Sequence, residues 1–386
     1  MIHQFDIPST ILHGGGSRHR LPDLVARFGA QRVLIVTDPG VVRLGVAEEI
    51  VQLLRKAGFA VTVFSEVQPD PTDRNVEAGV AELREGQAEL IVALGGGSPI
   101  DTAKVIGVLP TNPHPLPEFM GLHKIARDGL PVIAIPTTAG TGSEATKVAV
   151  ITDTTRQVKM MMLSRPLLPA AAIVDYELTL TMPAALTAAV GVDTFTHGME
   201  AYVSAKANPQ TDPIALACVK AVAQHLPIAY TEPGNHAARE GMMLAACQGG
   251  IAFSNSSVCL VHGMSRPLGA VFHIPHGLSN AILLPAVTRF SISNATESYA
   301  IVARVVGCAT ESDNDAAAAE KLVSWLEAMN RSLGIPRLRD AQGVTEEVFQ
   351  RELSKMADDA LASGSPANNP RVPTAEEIQR IYRDAW

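Results

Sequence analysis

The first part of the chain alternates short apolar runs with amphipathic stretches. Runs typical of buried strands lie at residues 32–38, 60–64, 89–94 and 131–135. Residues 48–57 have the apolar spacing of a helix, which Gly58 would close. Nearly continuous apolar strands separated by helices are typical of a parallel sheet covered on both faces. The pattern therefore predicts an α/β domain, with a loop at residues 110–129, where Pro and Gly are frequent.

The pattern changes to almost wholly helical near residue 182. Alanine-rich segments with helical spacing lie at residues 184–204, 212–226, 236–252 and 314–333. Pro183 suits the start of a helix, because proline is tolerated in a first helical turn. We therefore predict two domains, an α/β domain at residues 1–182 and an all-helical domain at residues 183–386.

Composition narrows the classes of function. The chain has 386 residues, 47% hydrophobic and 18% charged, which suits a globular protein with a large core. A net charge of -8 gives no electrostatic reason to expect nucleic acid or an anionic membrane as partner. No signal peptide or apolar run of membrane-spanning length is evident. The four cysteines lack a Cys-x-x-Cys pair and are expected to be reduced core thiols of a cytoplasmic protein.

Two glycine-rich loops indicate nucleotide binding. Residues 95–101 (Gly-Gly-Gly-Ser-Pro-Ile-Asp) follow a predicted strand and open a helix, with Ser98 as the expected N-cap. Glycine amides and a helix N-terminus can hold a pyrophosphate, although a tight strand–helix turn would have the same pattern. Residues 136–144 (Pro-Thr-Thr-Ala-Gly-Thr-Gly-Ser-Glu) follow the next strand and add hydroxyl donors. Both loops would lie at the carboxyl edge of the sheet, where nucleotides bind in open α/β folds.

Two charged residues are candidates for the same nucleotide. Asp38 follows an early strand and could accept hydrogen bonds from the adenosine ribose, which would disfavour a 2′-phosphate. Its alternative is a helix N-cap or a turn. Lys159 could neutralise a phosphate, or could be a solvated surface charge.

One carboxylate and three histidines suggest a metal site. Asp193 and His197 are four residues apart, so both side chains lie on one face of a helix, and His262 and His276 follow. Individually these residues could be a helical hydrogen-bonded pair, a core histidine and a helix cap. Together they concentrate polar groups in an apolar region, and a shared divalent metal such as Fe or Zn accounts for them.

The ordered motifs resemble the iron-containing (group III) alcohol dehydrogenase family over nearly the whole chain, including its lactaldehyde reductase-like and 1,3-propanediol dehydrogenase-like members. The matching stretches are residues 37–40, 95–101, 136–144, 175–183, 191–197, 262–264, 275–285 and 381–386. The resemblance implies an α/β dinucleotide-binding domain followed by a helical metal-binding domain, a plan shared with dehydroquinate synthase, with the active site in the cleft between them.

The resemblance also implies roles for individual residues. The metal ligands would be Asp193, His197, His262 and His276. The cofactor would be lined by Gly96, Gly97, Ser98, Asp101, Thr137, Thr138, Thr141, Ser143, Lys159 and Leu178. Asp38 matches a position that favours NAD over NADP. The implied cofactors are NAD and Fe²⁺, with Zn²⁺ or another divalent ion as an alternative, and the implied assembly is a homodimer.

Two positions depart from the family pattern. Arg266 stands where many members have a second histidine, and Ala286 stands where a histidine commonly follows the Asn-Ala-Ile-Leu-Leu-Pro motif. His273 is a candidate proton relay that could compensate, or a structural group. Arg266 could grip an acidic group on the substrate, or could form a salt bridge with a nearby carboxylate.

These observations predict reversible, metal-dependent oxidation of a small alcohol by NAD, with Arg266 and His273 as candidate catalytic residues. Two other reactions stay open: hydride transfer between a hydroxy acid and an oxo acid, and a lyase reaction like that of dehydroquinate synthase. A non-enzymatic nucleotide-binding module is a further alternative.

Overall fold

The computed structural model describes residues 2–386. Its contacts divide the chain into two compact units, residues 6–181 and residues 182–386, the second also including the segment before Asp6. Unit 6–181 is built on a parallel sheet with helices, and unit 182–386 is helical. The predicted fold class is therefore confirmed.

The strands of unit 6–181 form two sheets. They are β1 (Thr10–His13), β2 (Arg32–Val36), β3 (Ala60–Phe64), β4 (Leu90–Gly95), β5 (Gly121–Leu122), β6 (Val132–Pro136), β7 (Val148–Asp153), β8 (Val158–Leu163) and β9 (Ala171–Val174). Six of them make an all-parallel sheet in the order β1-β9-β6-β4-β2-β3. The four predicted strands are the inner strands β2, β4 and β6 and the edge strand β3, whereas β1 and β9 were not predicted.

The second sheet is small and has the order β5-β8-β7. β7 and β8 pair antiparallel, and alternate residues of β7 are buried. β5 lies inside residues 110–129, so the prediction of a plain loop there was wrong. β5 needs only two residues to pair with the edge of β8 opposite β7, and so short a strand has no apolar run that would predict it.

Helices connect the parallel strands. They are α1 (Leu21–Arg27), α2 (Pro39–Arg43), α3 (Val46–Lys56), α4 (Asp73–Glu85) and α5 (Gly97–Val108). Because strand side chains alternate, Leu34 and Val36 of β2 enter one apolar cluster while Val33 and Ile35 enter another. The sheet thus has a core on each face, as its continuous apolar strands predict.

Unit 182–386 consists of helices. They are α6 (Ala184–Val203), α7 (Asp212–Thr231), α8 (His236–Asn255), α9 (Leu260–Phe272), α10 (His276–Ser291), α11 (Thr296–Val305), α12 (Asp315–Ser332), α13 (Glu346–Ala362) and α14 (Ala375–Asp384). Helix α6 packs along α7 and α8, and glycines shorten the distance: a Cβ on Gly198 would lie 2.9 Å from Val219 and 3.0 Å from the Ala215 carbonyl oxygen. This packing fixes the helix that carries Asp193 and His197.

Helix α7 is long and apolar enough to cross a membrane by length and composition alone. Helices α8 and α9, bent by 105° at their junction, pass the same test as a pair. Core helices of soluble proteins also pass it, and α7 buries Cys218, Val222 and Leu226. Among residues 2–386 we therefore find no convincing membrane span.

The four cysteines are free thiols, as predicted. Cys218, Cys247 and Cys259 are buried, and Cys308 is partly exposed. Burial raises the pKa of Cys218 to about 12, so its thiol stays protonated and unreactive at neutral pH.

Candidate functional site

The first glycine loop joins β4 to α5. β4 ends at Gly95, whose φ of 147° suits glycine, and α5 begins at Gly97 with Gly96 as its N-cap. The predicted N-cap at Ser98 was wrong, because the helix begins at Gly97, two residues before Pro99, which Ser98 would have capped. Gly96 offers no side-chain oxygen, so the amides of the first turn receive no side-chain cap. Such amides can receive an anionic oxygen of a ligand.

The second loop lies directly beside the first. A Cβ on Gly96 would lie 3.4 Å from Thr138 Oγ1, and one on Gly97 would lie 3.0 Å from Thr141 Cγ2. The Thr137 N–H donates to the Gly95 carbonyl oxygen at 3.0 Å. The threonine hydroxyls and glycine amides therefore share one end of the neighbouring strands β4 and β6.

Asp38 takes the helix N-cap position that was its alternative interpretation from the sequence. Its Oδ1 accepts hydrogen bonds from the amides of Gly40 (2.7 Å) and Val41 (3.0 Å), so it is the N-cap of α2. A Cβ on Gly95 would lie 3.1 Å from its Oδ2. The second carboxylate oxygen therefore faces the glycine loop.

Asp101 and Ser143 make their side-chain hydrogen bonds inside the protein. The Ser143 hydroxyl donates to Asp101 Oδ1 at 2.6 Å and accepts from Lys104 Nζ at 2.7 Å. Lys104 also donates to the Thr146 hydroxyl and the Val148 carbonyl oxygen. Burial lowers the pKa of Lys104 to about 8, opposed by the charges of Asp101 and Glu144. This network joins α5 to the segment after the second loop, and no motif in the sequence singles out Lys104.

Two further cofactor candidates lie in different settings. Lys159 is nearly half exposed, and its Nζ pairs with Asp70 at 2.6 Å, as a solvated surface lysine would. Leu178 is buried in a 3₁₀ turn after β9, where it packs with the core on one face of the sheet.

The structure brings the candidate metal ligands together from three helices. Asp193 and His197 lie on α6, His262 in the first turn of α9, and His276 at the start of α10. Ligand atoms of Asp193, His262 and His276 all lie within 4.8 Å of one another. His197 Nε2 lies 3.7 Å from Asp193 Oδ1, and its ring stacks on that of His262 with centroids 4.8 Å apart.

The spacing suits a divalent ion. Metal–ligand bonds near 2.0–2.2 Å in a tetrahedral arrangement put ligand atoms about 3.4 Å apart. Asp193 Oδ1 lies 3.6 Å from His262 Nε2 and 3.7 Å from His197 Nε2. Protein atoms packed around the ring lower the pKa of His276 to about 3, with help from the other imidazoles and Arg266, although Asp193 opposes the shift and part of the residue is exposed to solvent. A neutral imidazole is the form that ligates a metal.

Two further side chains that were not predicted from the sequence, Asn280 and Glu200, lie beside these ligands. The buried Asn280 Nδ2 lies 2.6 Å from Asp193 Oδ1 and 3.2 Å from Nε2 of both His262 and His276. Its Oδ1 is buried without a hydrogen-bond partner among the described residues, and a buried oxygen of this kind is normally paired with a water or an ion. Glu200 is buried against His262 Nδ1 at 2.7 Å. Helical spacing from His197 and His276 is the signal that could have found Glu200 and Asn280.

Arg266 lies on the helix that carries His262, and His273 directly follows that helix. Burial lowers the pKa of Arg266 and the charge of Glu200 raises it, while the charge of Arg266 lowers the pKa of His276. The guanidinium is therefore electrostatically coupled to this cluster. His273 is exposed and forms the left-handed C-cap of α9, with φ 56°. Ala286 is buried within α10.

Comparison with known families matches both parts of the chain. The model described as iron-containing alcohol dehydrogenase matches residues 8–176. The model described as the C-terminal part of the Fe-containing alcohol dehydrogenase family matches residues 187–386.

Individual relatives match over the full length. The NAD-dependent methanol dehydrogenase of Bacillus methanolicus is 37% identical and covers 99% of both chains. A crystal structure of 1,3-propanediol oxidoreductase superposes with a TM-score of 0.97 at 35% identity, covering 100% of both chains. Sulfoacetaldehyde reductase of Bifidobacterium kashiwanohense, solved with NAD⁺, gives a TM-score of 0.88 at 29% identity over 100% of this chain and 99% of that one.

Proposed function

Because this chain belongs to the iron-containing alcohol dehydrogenase family, we propose that its cluster of one carboxylate and three imidazoles holds the divalent metal at which a small alcohol is oxidised. The chain is an NAD-dependent oxidoreductase that acts on small alcohols and aldehydes. The convergence of Asp193, His262 and His276 from three helices carries the proposal.

The proposed ligands offer two kinds of donor group to the ion. Asp193 supplies negative charge, and the three imidazoles supply neutral nitrogen donors. A bound divalent ion would supply Lewis acidity, which lowers the pKa of an alcohol hydroxyl and polarises a carbonyl. Asn280 holds the Asp193 carboxylate through its amide N–H, so the carboxylate keeps one orientation. Fe²⁺ is the metal proposed here, and Zn²⁺ is the alternative.

NAD is proposed to bind at the paired loops of unit 6–181. The groups proposed to contact it are those of Gly96, Gly97, Ser98, Thr137, Thr138 and Thr141. Asp38 Oδ2 would accept from the adenosine ribose and repel a 2′-phosphate, which favours NAD over NADP. Asp101 and Ser143 would act by holding the loops in place. Lys159 and Leu178 are proposed as further cofactor contacts on the motif match alone.

A substrate panel with the metal-loaded enzyme tests the activity. We expect Fe²⁺ loaded without oxygen to support formation of NADH, followed by its absorbance, with short alcohols. Asp193→Ala and His262→Ala should lose both metal and turnover, because each removes a ligand. The exposed His114, replaced by Ala, is the matched control and should keep both. Hydride transfer between a hydroxy acid and an oxo acid without added NAD would instead support a transhydrogenase.

Arg266 is proposed to favour substrates with an acidic group. Its guanidinium lies one turn after His262 and acts electrostatically on His276, so a carboxylate or sulfonate could be held beside the reacting carbon. The similar sulfoacetaldehyde reductase acts on an aldehyde of this kind. The competing interpretation is an ion pair with Glu200, whose charge raises the pKa of Arg266.

The ratio of kcat/KM for acidic and neutral aldehydes of equal length separates these interpretations. If Arg266 binds the acidic group, Arg266→His should reduce this ratio at least about tenfold, the effect of losing about 1.4 kcal/mol. Arg266→Lys keeps the positive charge and should retain part of the preference for acidic aldehydes. An unchanged ratio in Arg266→His would leave Arg266 as a partner of Glu200.

His273 is proposed to act as a proton relay. Its exposure at the end of α9 allows it to exchange protons with water.

We further propose a homodimer in the cytoplasm. The free cysteines fit a reducing compartment, and the family resemblance suggests two subunits. Light scattering after size-exclusion chromatography would give the mass directly. A mass of one 40.8 kDa chain would exclude the dimer.

A further inference from the structure

Glu200 is a carboxylate on α6 that is 2% exposed and faces the first turn of α9. Its Oε1 accepts from the Val261 N–H at 2.7 Å, and its Oε2 accepts from the Cys259 N–H at 2.8 Å. Oε2 also lies 2.7 Å from Nδ1 of His262. We propose that Glu200 is a positioning residue, which holds His262 with the proton on Nδ1 and leaves Nε2 as the metal ligand.

The tautomer follows from the chemistry of the buried carboxylate. Both oxygens of Glu200 already accept backbone N–H groups, so we assign the proton of this third contact to the nitrogen 2.7 Å from Oε2. The other ring nitrogen, Nε2, faces the cluster, 3.6 Å from Asp193 Oδ1 and 3.2 Å from the Asn280 amide nitrogen. A histidine that donates its far N–H to a carboxylate is fixed in ring orientation and becomes a more basic ligand.

The two backbone contacts show why the carboxylate is held so firmly. Cys259 is the N-cap of α9, and its own side chain does not cap the helix. Glu200 takes over this role from a different helix, because its charge and its oxygens satisfy amides at the positive end of α9. Oε2, one of the two oxygens that cap the helix, therefore also sets the ring of His262, the third residue of that helix. Helix position and ligand orientation are thus fixed by one side chain.

The inference rests on the proposed metal site, but its central contact can be measured without metal. In metal-free protein with ¹⁵N-labelled histidine at about pH 8, above the ordinary histidine pKa, ring nitrogen shifts distinguish the two tautomers. The His262 signals are assigned by their loss in His262→Gln. We expect His262 to carry its proton on Nδ1. A proton on Nε2 would overturn the inference.

Glu200→Gln tests the consequence for metal binding. Glutamine keeps the size but has one oxygen, so its NH₂ must oppose at least one of the three donors. We expect Zn²⁺ affinity, measured by competition with a chelator, to fall about 10–100-fold. Asn330→Ala is the control, because Asn330 is a buried amide that donates to the Ala281 carbonyl oxygen in the same unit, and its loss costs stability without touching His262.

The outcomes separate the two proposals. Wild-type protein that binds no Zn²⁺ would overturn the metal site itself. Zinc binding in which Glu200→Gln matches the wild type, or falls no further than Asn330→Ala, would overturn only the role of Glu200. A selective loss in Glu200→Gln together with a mixed tautomer at His262 would support it.

Discussion

Lys104 shows how a single buried charge can connect the loops proposed to bind the cofactor. Its ammonium is fully enclosed and donates to the Ser143 hydroxyl, the Thr146 hydroxyl and the Val148 carbonyl oxygen. Asp101 lies 3.6 Å away and accepts from Ser143. Burial of a cation is costly, and it is tolerated here because every donor and a counter-charge are provided. These contacts hold α5, the helix that follows the glycine loop, against the segment at residues 143–148.

This burial predicts a pH dependence of stability. The pKa of Lys104 is about 8 in the folded chain against 10.5 for an exposed lysine, so the unfolded state binds more protons between these values. The contribution of this group is therefore fully present above pH 10.5 and lost as the pH falls through about 8. Urea denaturation should show the stability of wild type relative to Lys104→Met rising by about 2 kcal/mol from about pH 7 to pH 9.5. A constant difference would mean that Lys104 titrates normally.

At the scale of elements, glycines set how closely α6 approaches its neighbours. A Cβ on Gly198 would meet Val219 Cγ1 at 2.9 Å, the Ala215 carbonyl oxygen at 3.0 Å and Cys218 Sγ at 3.0 Å. The backbone oxygen cannot move aside as a flexible side chain could. Any side chain here would push α6 away from α7 and displace Asp193 and His197 with it.

Gly198→Ala should therefore cost about 1–3 kcal/mol, the usual penalty for overpacking. The measurement is urea denaturation, with Zn²⁺ affinity as a second readout that should fall because the ligands move. Gly234→Ala is the matched control, since a Cβ there meets nothing within 4 Å. It should be neutral or slightly stabilising. Equal stability of both variants would show that α6 and α7 adjust freely.

Elements with a continuous apolar run or a long helical period could be predicted from the sequence, and others could not. The inner strands β2, β4 and β6 depend on local patterning, whereas the four-residue strands β1 and β9 are placed by long-range pairing, β1 with β9 across about 160 residues and β9 also with β6. Four candidate metal ligands were identifiable by residue type and spacing. The contact of Glu200 with His262 was not, because it depends on where the first turn of α9 lies against α6. Lys104 was missed because a lysine in a helix normally indicates an exposed position.

At the scale of the whole molecule, the candidate sites lie in different units. The metal ligands all belong to residues 182–386, and the glycine loops belong to residues 6–181. A ligand that binds only the folded state stabilises what it binds by an amount set by its concentration relative to Kd. Binding of the metal and binding of NAD should therefore stabilise different segments of the chain.

Hydrogen exchange can detect this local stabilisation. Zn²⁺ at about 100 times its Kd should add about 2.7 kcal/mol of stability, seen as slower exchange in α6, α9 and α10. NAD should slow exchange at residues 95–101 and 136–144. Asp193→Ala should abolish the effect of Zn²⁺ and keep that of NAD. Zinc protection confined to residues 6–181 would contradict the assignment.

The contacts of Glu200 and Asn280 orient the candidate ligands before any ion arrives. A site that is already formed has no folding step with which to discriminate between ions, so competition is decided by intrinsic affinity and supply. For sites with nitrogen and oxygen ligands, the order of intrinsic affinities places Fe²⁺ below Ni²⁺, Cu²⁺ and Zn²⁺. The ion found in the isolated protein should thus follow the ions present during growth and purification. Cultures rich in iron and cultures rich in zinc should yield the same fold with different turnover.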